Sequence, residues 1–282
     1  MNRQTVLITG ASGGFGLFMT MELVKRKFHV IATMRDLKKK DNIITLCKQE
    51  GLETELIEFF PLDITKSASI NNLSAHIAHL PSIDILINNA GFALGGFAEE
   101  VSLREYKEQF ETNFFGAIAL TQAILPYMRE QKSGKIINMS SISGKIAFPG
   151  LSPYVASKHA LEGWTESLRL EVKSFGIDVA LVEPGSFQTN IWTKGKKVAK
   201  QSLLSTSPYA LIMTAIEAEM DKGSANYEDP RIVAIMIAEL CTKQKLSKLR
   251  YPVGKGVKGL LFFKKIIPWK LWEKLVLVKL NL

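Results

Sequence analysis

Apolar residues in this chain come in two rhythms, and the rhythms alternate. Short continuous runs at 5–9, 29–34, 56–62, 83–87, 135–139 and 177–182 read as strands. Between them, longer stretches with apolar positions three and four apart read as helices, at about 15–27, 41–50, 67–80, 102–129 and 152–175. The punctuation agrees. Gly51, Pro81 and Gly176 stop three of these helices, Ser102 is placed to cap the fourth, and Ser152 or Pro153 opens the fifth. The strand runs are nearly all apolar, as expected where both faces of a sheet are covered. Alternation at this spacing predicts an α/β fold, a doubly wound parallel sheet with helices on both faces and right-handed crossovers.

After Pro184 the rhythm changes. Residues 187–207 are polar and lysine-rich, 208–220 and 230–241 read as helices, and 250–253 as a last short strand. No repeat or low-complexity linker breaks the chain, and 282 residues with 46% hydrophobic content suffice for one large core. The prediction is a single domain over 1–255, with a helical substrate lid at about 187–226, followed by a basic apolar extension over 256–282. The two cysteines, Cys47 and Cys241, form no CxxC pair, which argues against a zinc site or disulfide framework and suits a reducing cytoplasm. The first apolar run is too short for a signal peptide, and nowhere do about 18 apolar residues follow one another, so no transmembrane helix is expected. The net charge of +9 opens three possibilities, nucleic acid, an anionic membrane or an anionic cofactor, and much of the excess lies at 194–200 and beyond 243.

Candidate chemistry starts at TGASGGFG, residues 9–16, a glycine turn between the first strand and the first helix. Strand, glycine turn and helix in that order make a phosphate-binding context. Gly10 permits the tight turn, Gly14 lets the backbone approach a pyrophosphate, Gly16 lets the helix pack closely, and the helix N-terminus offers free N–H groups. Three residues separate Gly10 from Gly14, a departure from the ordinary G-x-G-x-x-G spacing. At the end of the second strand, where an NAD-binding chain places a carboxylate for the ribose, stand Met34 and Arg35. The missing repulsion and the added guanidinium favour a 2′-phosphate, hence NADP(H), with Asp36 as the rival acid that would favour NAD(H).

Tyr154 and Lys158, in YVASK, share a helix face at i and i+4. An ammonium beside a phenol favours the phenolate and lowers its pKa, so such a tyrosine serves as a general acid or base. Alone, that spacing describes an ordinary solvated helix face. Its neighbours give it weight: small and polar residues recur after strands one, four, five and six, at NNAG (88–91), the Ser140–Ser141 pair and EPGSFQT (183–189). In open α/β sheets this strand edge is where ligands bind.

TGASGGFG, LDIT, NNAG, Asn113, the serine pair, YVASK and EPG, in this order, resemble the short-chain dehydrogenase/reductase family over about 5–189; within it, the run IATMRD (31–36) and Phe15 in the glycine turn most resemble the 17β-hydroxysteroid and retinol dehydrogenase branch. In that family the glycine spacing seen here is the normal one. The resemblance implies a Rossmann-type sheet and a catalytic set of Asn113, Ser141, Tyr154 and Lys158. Tyr154 is then the acid/base, Lys158 binds the nicotinamide ribose and lowers the tyrosine pKa, Ser141 holds the substrate oxygen with Ser140 as rival, and Asn113 holds a relay water. It implies cofactor contacts from Gly10, Ser12, Gly13, Gly14, Phe15 and Gly16, from Arg35, and from Asp63 and Ile64 beside the adenine. Asn89, Ala90 and Gly91 would line the cofactor, Pro184, Gly185 and Thr189 its nicotinamide end, and Asn88 would brace the sheet.

The implied activity is NADP(H)-dependent hydride transfer to or from an alcohol or ketone. The lid carries Phe187, Ile191, Trp192, Leu203, Leu204, Tyr209 and Met213, which fit a hydrophobic substrate or, equally, the core of a helical flap. A non-catalytic NADP(H)-binding redox sensor is the alternative, though a sensor has no reason to keep all four catalytic residues. A nucleic-acid binder lacks a recognition motif. Family members usually form homodimers or homotetramers through the two long helices, here 102–129 and 152–175. The tail at 260–282 mixes Trp and Leu with lysines and is interrupted by Pro268. Packing on the domain or a partner subunit is its simpler reading, and peripheral contact with a membrane surface the other.

Overall fold

The computed structural model describes residues 3–189, 196–224 and 227–280. Its large sheet has strands β1 (Thr5–Ile8), β2 (His29–Met34), β3 (Ile57–Pro61) and β4 (Ile85–Asn88). A short strand β5 (Ala93–Gly95) stands apart, and β6 (Gly134–Met139), β7 (Ile177–Pro184), β8 (Lys196–Val198) and β9 (Arg250–Val253) follow. Seven of them pair in the order β3-β2-β1-β4-β6-β7-β9, all parallel. The order reverses between β1 and β4, so the crevice beyond their carboxyl ends is the expected ligand position.

Alternation along the strands builds two cores. Val6, Ile8, Val30, Ala32, Ile85 and Ile87 point to one side, where helices α1 (Gly14–Lys25) and α2 (Lys40–Gln49) pack. Leu7, Ile31, Leu86, Ile136 and Val179 point to the other, against α3 (Ser67–Ile77). Each such Val, Leu or Ile side chain contributes roughly 1.5–3 kcal/mol when fully buried.

The long segment predicted at 102–129 is three pieces: α4 (Leu103–Phe110), a π-helical turn (Glu111–Phe115) and α5 (Gly116–Gln131). Ser102 caps it with a reciprocal box, since its hydroxyl accepts from the Glu105 N–H and Glu105 accepts from its N–H. The helix α6 (Ser152–Glu171) is followed by a 3-10 turn (Lys173–Phe175) and closed by Gly176 at φ 73°. Beyond β7 come α7 (Ala210–Ser224), α8 (Arg231–Thr242), α9 (Val257–Ile266) and α10 (Trp269–Lys279). α8 lies against α1 and completes the first core. Pro268 separates α9 from α10, as its place in the tail predicts. The tail as a whole is not packed down, because Val257, Trp272 and Leu280 are buried while most of its other apolar side chains are exposed. Strands β5 and β8 form a separate parallel pair that the apolar pattern does not announce. Ile191 and Trp192 of the lid lie outside the described residues.

Candidate active site

Loops that leave β1, β2, β3, β4, β6 and β7 meet at one edge of the sheet and line a cleft of about 900 Å³. At its floor the glycine turn is held from below. The Thr9 hydroxyl accepts from the N–H groups of Asn89 and Ala90, both at 2.9 Å, and the Asn89 amide donates to the carbonyls of Thr9 (2.9 Å) and Gly10 (3.2 Å). Gly10 takes a positive φ of 68°, and a Cβ there would stand 2.9 Å from Ala90 Cα. Gly16 does not line the cleft. It lies beneath it, where a Cβ would come within 2.2 Å of the Gly10 carbonyl oxygen. Gly13 precedes α1 and, having no side chain, cannot cap it, so it leaves the first N–H groups of the helix uncapped at the cleft wall. Ser12, Gly13, Gly14 and Phe15 line the same wall.

The far end of the cleft is cationic. β2 ends at Met34, so Arg35 is the first residue beyond it, exposed and lining the cleft together with Lys39. Asp36 is turned to another task, since its carboxylate accepts from the Lys38 N–H at 3.0 Å and caps the 3-10 turn Leu37–Lys39. Opposite stand Asp63 and Ile64. Burial works against ionisation of Asp63, but two hydrogen bonds from Thr65 and the charges of Lys66 and Arg35 overcome it and hold the carboxyl below its usual range.

Tyr154, Lys158, Ser141 and Asn113 come together at the middle of the cleft, from α6, the end of β6 and the π-helical turn. Tyr154 is buried and its hydroxyl shares a hydrogen bond with that of Ser141. Ser141 also accepts from the Ser143 N–H at 3.1 Å, which fixes its rotamer. Ser140 lines the cleft beside it, but no hydrogen bond joins its hydroxyl to the described residues. Lys158 Nζ donates to the Met139 carbonyl at 2.7 Å and lies 5.8 Å from the Tyr154 ring centroid. Asn113 clamps Phe92, accepting from its N–H at 3.1 Å and donating to its carbonyl at 3.0 Å. A π-helical turn widens the helix locally and is often found at functional sites. Here it sets Asn113 toward the strand-four loop. Asn88 braces the sheet through Thr121 (2.9 Å) and Asn138 (2.8 Å), its register partner on β6.

The electrostatics depart from expectation at one point. Burial pushes the Tyr154 phenol up to about 12, and the Ser141 hydrogen bond only partly opposes it. The same desolvation pushes Lys158 down to about 8, against the pull of Glu162. Burial of the phenol therefore outweighs the pull of Lys158, whose ammonium is held on the Met139 carbonyl.

After β7, Pro184, Gly185 and Thr189 line the cleft, and the Thr189 side chain approaches the Gly14 position. Phe187 is fully buried and meets Phe15 edge-on at 5.6 Å between centroids. A family model described as short chain dehydrogenase matches residues 4–199. The chain belongs to the short-chain dehydrogenase family. As such it is an oxidoreductase, and 43% identical over 280 residues to the uncharacterized oxidoreductase YusZ of Bacillus subtilis, 99% of each chain. It is 37% identical to retinol dehydrogenase 8 of Homo sapiens over 203 residues, 71% of this chain and 63% of that one. The solved structure of ElxO with NADP bound is similar at a TM-score of 0.75 and 25% identity, over 92% of this chain and 100% of that one.

In this short-chain dehydrogenase several cleft residues escape a reading of the sequence alone. Lys39 and Lys197 bring cations, and Lys197 Nζ sits 4.7 Å from the Phe92 ring centroid. Thr9 stitches the glycine turn to the NNAG loop across 80 residues of sequence. Nothing local in the chain signals either arrangement.

Proposed function

We propose that the protein transfers a hydride between NADP(H) and a hydrophobic alcohol or ketone, with Tyr154 as the acid/base. The observation that carries this reading is the Tyr154–Ser141 hydrogen bond, set beside Lys158 in the cleft that also holds the glycine turn. A dinucleotide fits the donor set. The turn and the uncapped start of α1 suit a pyrophosphate, Asp63 and Ile64 an adenine, and Asn89, Ala90 and Gly91 the middle of the cofactor. Arg35 and Lys39, with Asp36 engaged on its own turn, support a 2′-phosphate and hence NADP(H) over NAD(H). Pro184, Gly185 and Thr189 remain for the nicotinamide end. The cofactor supplies or takes the hydride when bound.

The protein's own residues handle the proton. A tyrosine pushed up to about 12 is neutral at physiological pH, so it is a phenol ready to donate to a ketone oxygen during reduction. Ser141 holds that oxygen beside the tyrosine. Lys158, pushed down to about 8, exchanges a proton near working pH and with Asn113 resupplies Tyr154. Phe92, Phe15 and Phe187 around the cleft favour an apolar substrate. A homodimer or homotetramer through the helices at 102–131 and 152–171 accords with the exposed Leu103, Phe115 and Leu170 there. Two buried free cysteines accord with the cytoplasm.

The test is a panel of hydrophobic ketones and alcohols assayed with NADPH and NADP in parallel with NADH and NAD. The reading expects turnover of an apolar carbonyl compound with NADPH preferred. NADPH binding without turnover across the panel favours the redox-sensor alternative, and preference for NADH overturns the cofactor assignment.

A further inference from the structure

The C-terminal helices each carry two apolar stripes. In α10, Trp272, Val276 and Leu280 follow one another at i, i+4 and i+8, and both ends of this stripe are buried. Leu271, Leu275 and Val278, at i, i+4 and i+7, form a second stripe on the opposite side, and all three are exposed. In α9, Val257 is buried, while Phe262, Phe263 and Ile266 are exposed. Phe262 is 66% exposed, Ile266 61%, Trp269 59% and Val278 61%. Exposed apolar surface of this kind, gathered on two consecutive helices, marks an interaction site.

Charge identifies the occupant. Residues 255–280 hold seven lysines and a single acid, Glu273. Lys264 lies over both Trp269 (4.6 Å) and Trp272 (5.1 Å) and ties the two helices together, leaving Lys258, Lys265, Lys270 and Lys274 exposed beside the apolar stripes. A second copy of this chain is a poor match, because a two-fold contact would set this cationic face on itself. Neither helix spans a bilayer, since no helix among the described residues is long and apolar enough to cross a membrane. Short helices with Trp, Phe and Leu on one side and lysines around them suit the plane of an anionic lipid surface.

We propose that α9 and α10 dock the protein on an anionic bilayer surface, with Phe262, Ile266, Leu271, Leu275 and Val278 in the interface and the flanking lysines on lipid phosphates. The platform is attached to the candidate site at two points. A Cβ at Gly185, in the cleft wall, would stand 2.6 Å from Val257 Cγ2, and Lys279 of α10 pairs with Glu219 of α7 in the lid at 3.5 Å. Docking there sets the cleft and its lid beside the bilayer, where an apolar substrate is concentrated.

The full-length protein is mixed with vesicles of phosphatidylcholine alone or blended with phosphatidylglycerol, and binding is read by co-sedimentation and by Trp fluorescence. This needs neither cofactor nor substrate, so it stands or falls apart from the hydride-transfer reading. Binding is expected to the blended vesicles and to weaken with salt. Each lysine near such a surface is worth about fivefold, so Lys265→Gln, Lys270→Gln and Lys274→Gln together should weaken binding roughly a hundredfold. Leu271→Ser with Leu275→Ser should also abolish it, and circular dichroism and melting temperature identify any variant that fails to fold. No binding to blended vesicles, or binding indifferent to both sets of substitutions in folded variants, overturns the proposal. So does self-association through this face without vesicle binding.

Discussion

Glu183→Gln should stabilise the protein at alkaline pH and leave it unchanged in acid. Glu183 lies near the end of β7 and Glu162 on α6, both buried, with Arg250 of β9 between them. Arg250 Nε is 2.8 Å from Glu162 and 3.6 Å from Glu183, and its Nη2 is committed to Glu166 at 2.9 Å. One oxygen of Glu162 and one of Glu183 find no hydrogen-bond donor among the described residues. Burial and the adjacent Glu162 carboxylate push Glu183 up to about 7, against the opposing charges of Arg250 and Lys145. A proton on Glu183 turns one acceptor into a donor and relieves the pair. Between about 4.5, the ordinary value, and about 7 the folded chain holds a proton that the unfolded chain has lost. This contribution to stability is full below about 4.5 and is lost as pH rises through 7. The gap sets a ceiling of roughly 3 kcal/mol above pH 7, and sharing of the proton with Glu162 brings the expected effect to the order of 1–3 kcal/mol. Gln keeps the donor and removes the titration. Thermal or urea unfolding across about pH 5 to 9 should therefore show the variant gaining stability over the parent as pH rises, by several degrees at the alkaline end. A difference independent of pH, or a parent that is the more stable in alkali, would refute the reasoning.

Two further predictions bear on the cofactor cradle. Gly16→Ala forces a methyl to within 2.2 Å of the Gly10 carbonyl and should cost about 1–3 kcal/mol with weakened cofactor binding. Gly163→Ala, on the exposed side of α6 with nothing within 4 Å, should instead gain up to about 1 kcal/mol with binding intact, and paired melts with cofactor titrations check both. Arg35→Ala should weaken NADPH binding by about ten- to a hundredfold, the worth of one charge-assisted hydrogen bond, and leave NADH nearly unaffected. Equal loss of both cofactors would remove Arg35 from 2′-phosphate recognition.

Most strands were legible because both faces of the sheet are covered, so they appear as nearly all apolar runs, and β2 ends at Met34 as the pattern indicates. Helix caps were legible for the same local reason, Ser102 above all. The π-helical turn at Glu111–Phe115 was not, because one extra residue per turn leaves no mark on composition. Strands β5 and β8 are three residues each, too short to carry a period. In the candidate site, the spacing of Tyr154 and Lys158 puts them on one face but says nothing of burial, and burial turns the tyrosine shift upward. Lys39 reads as one surface lysine among several until the cleft is seen around it. The tail's composition left packing and membrane contact both open, and the exposure of its second stripes is what the proposed lipid contact rests on.

Tyr154→Phe tests the central claim most directly. NADPH binding and NADPH consumption with an apolar ketone are measured side by side in the parent and the variant, which lacks only the phenolic oxygen. The account predicts binding close to that of the parent and turnover lower by on the order of a hundred- to ten-thousandfold. Turnover at the parent's rate would contradict it.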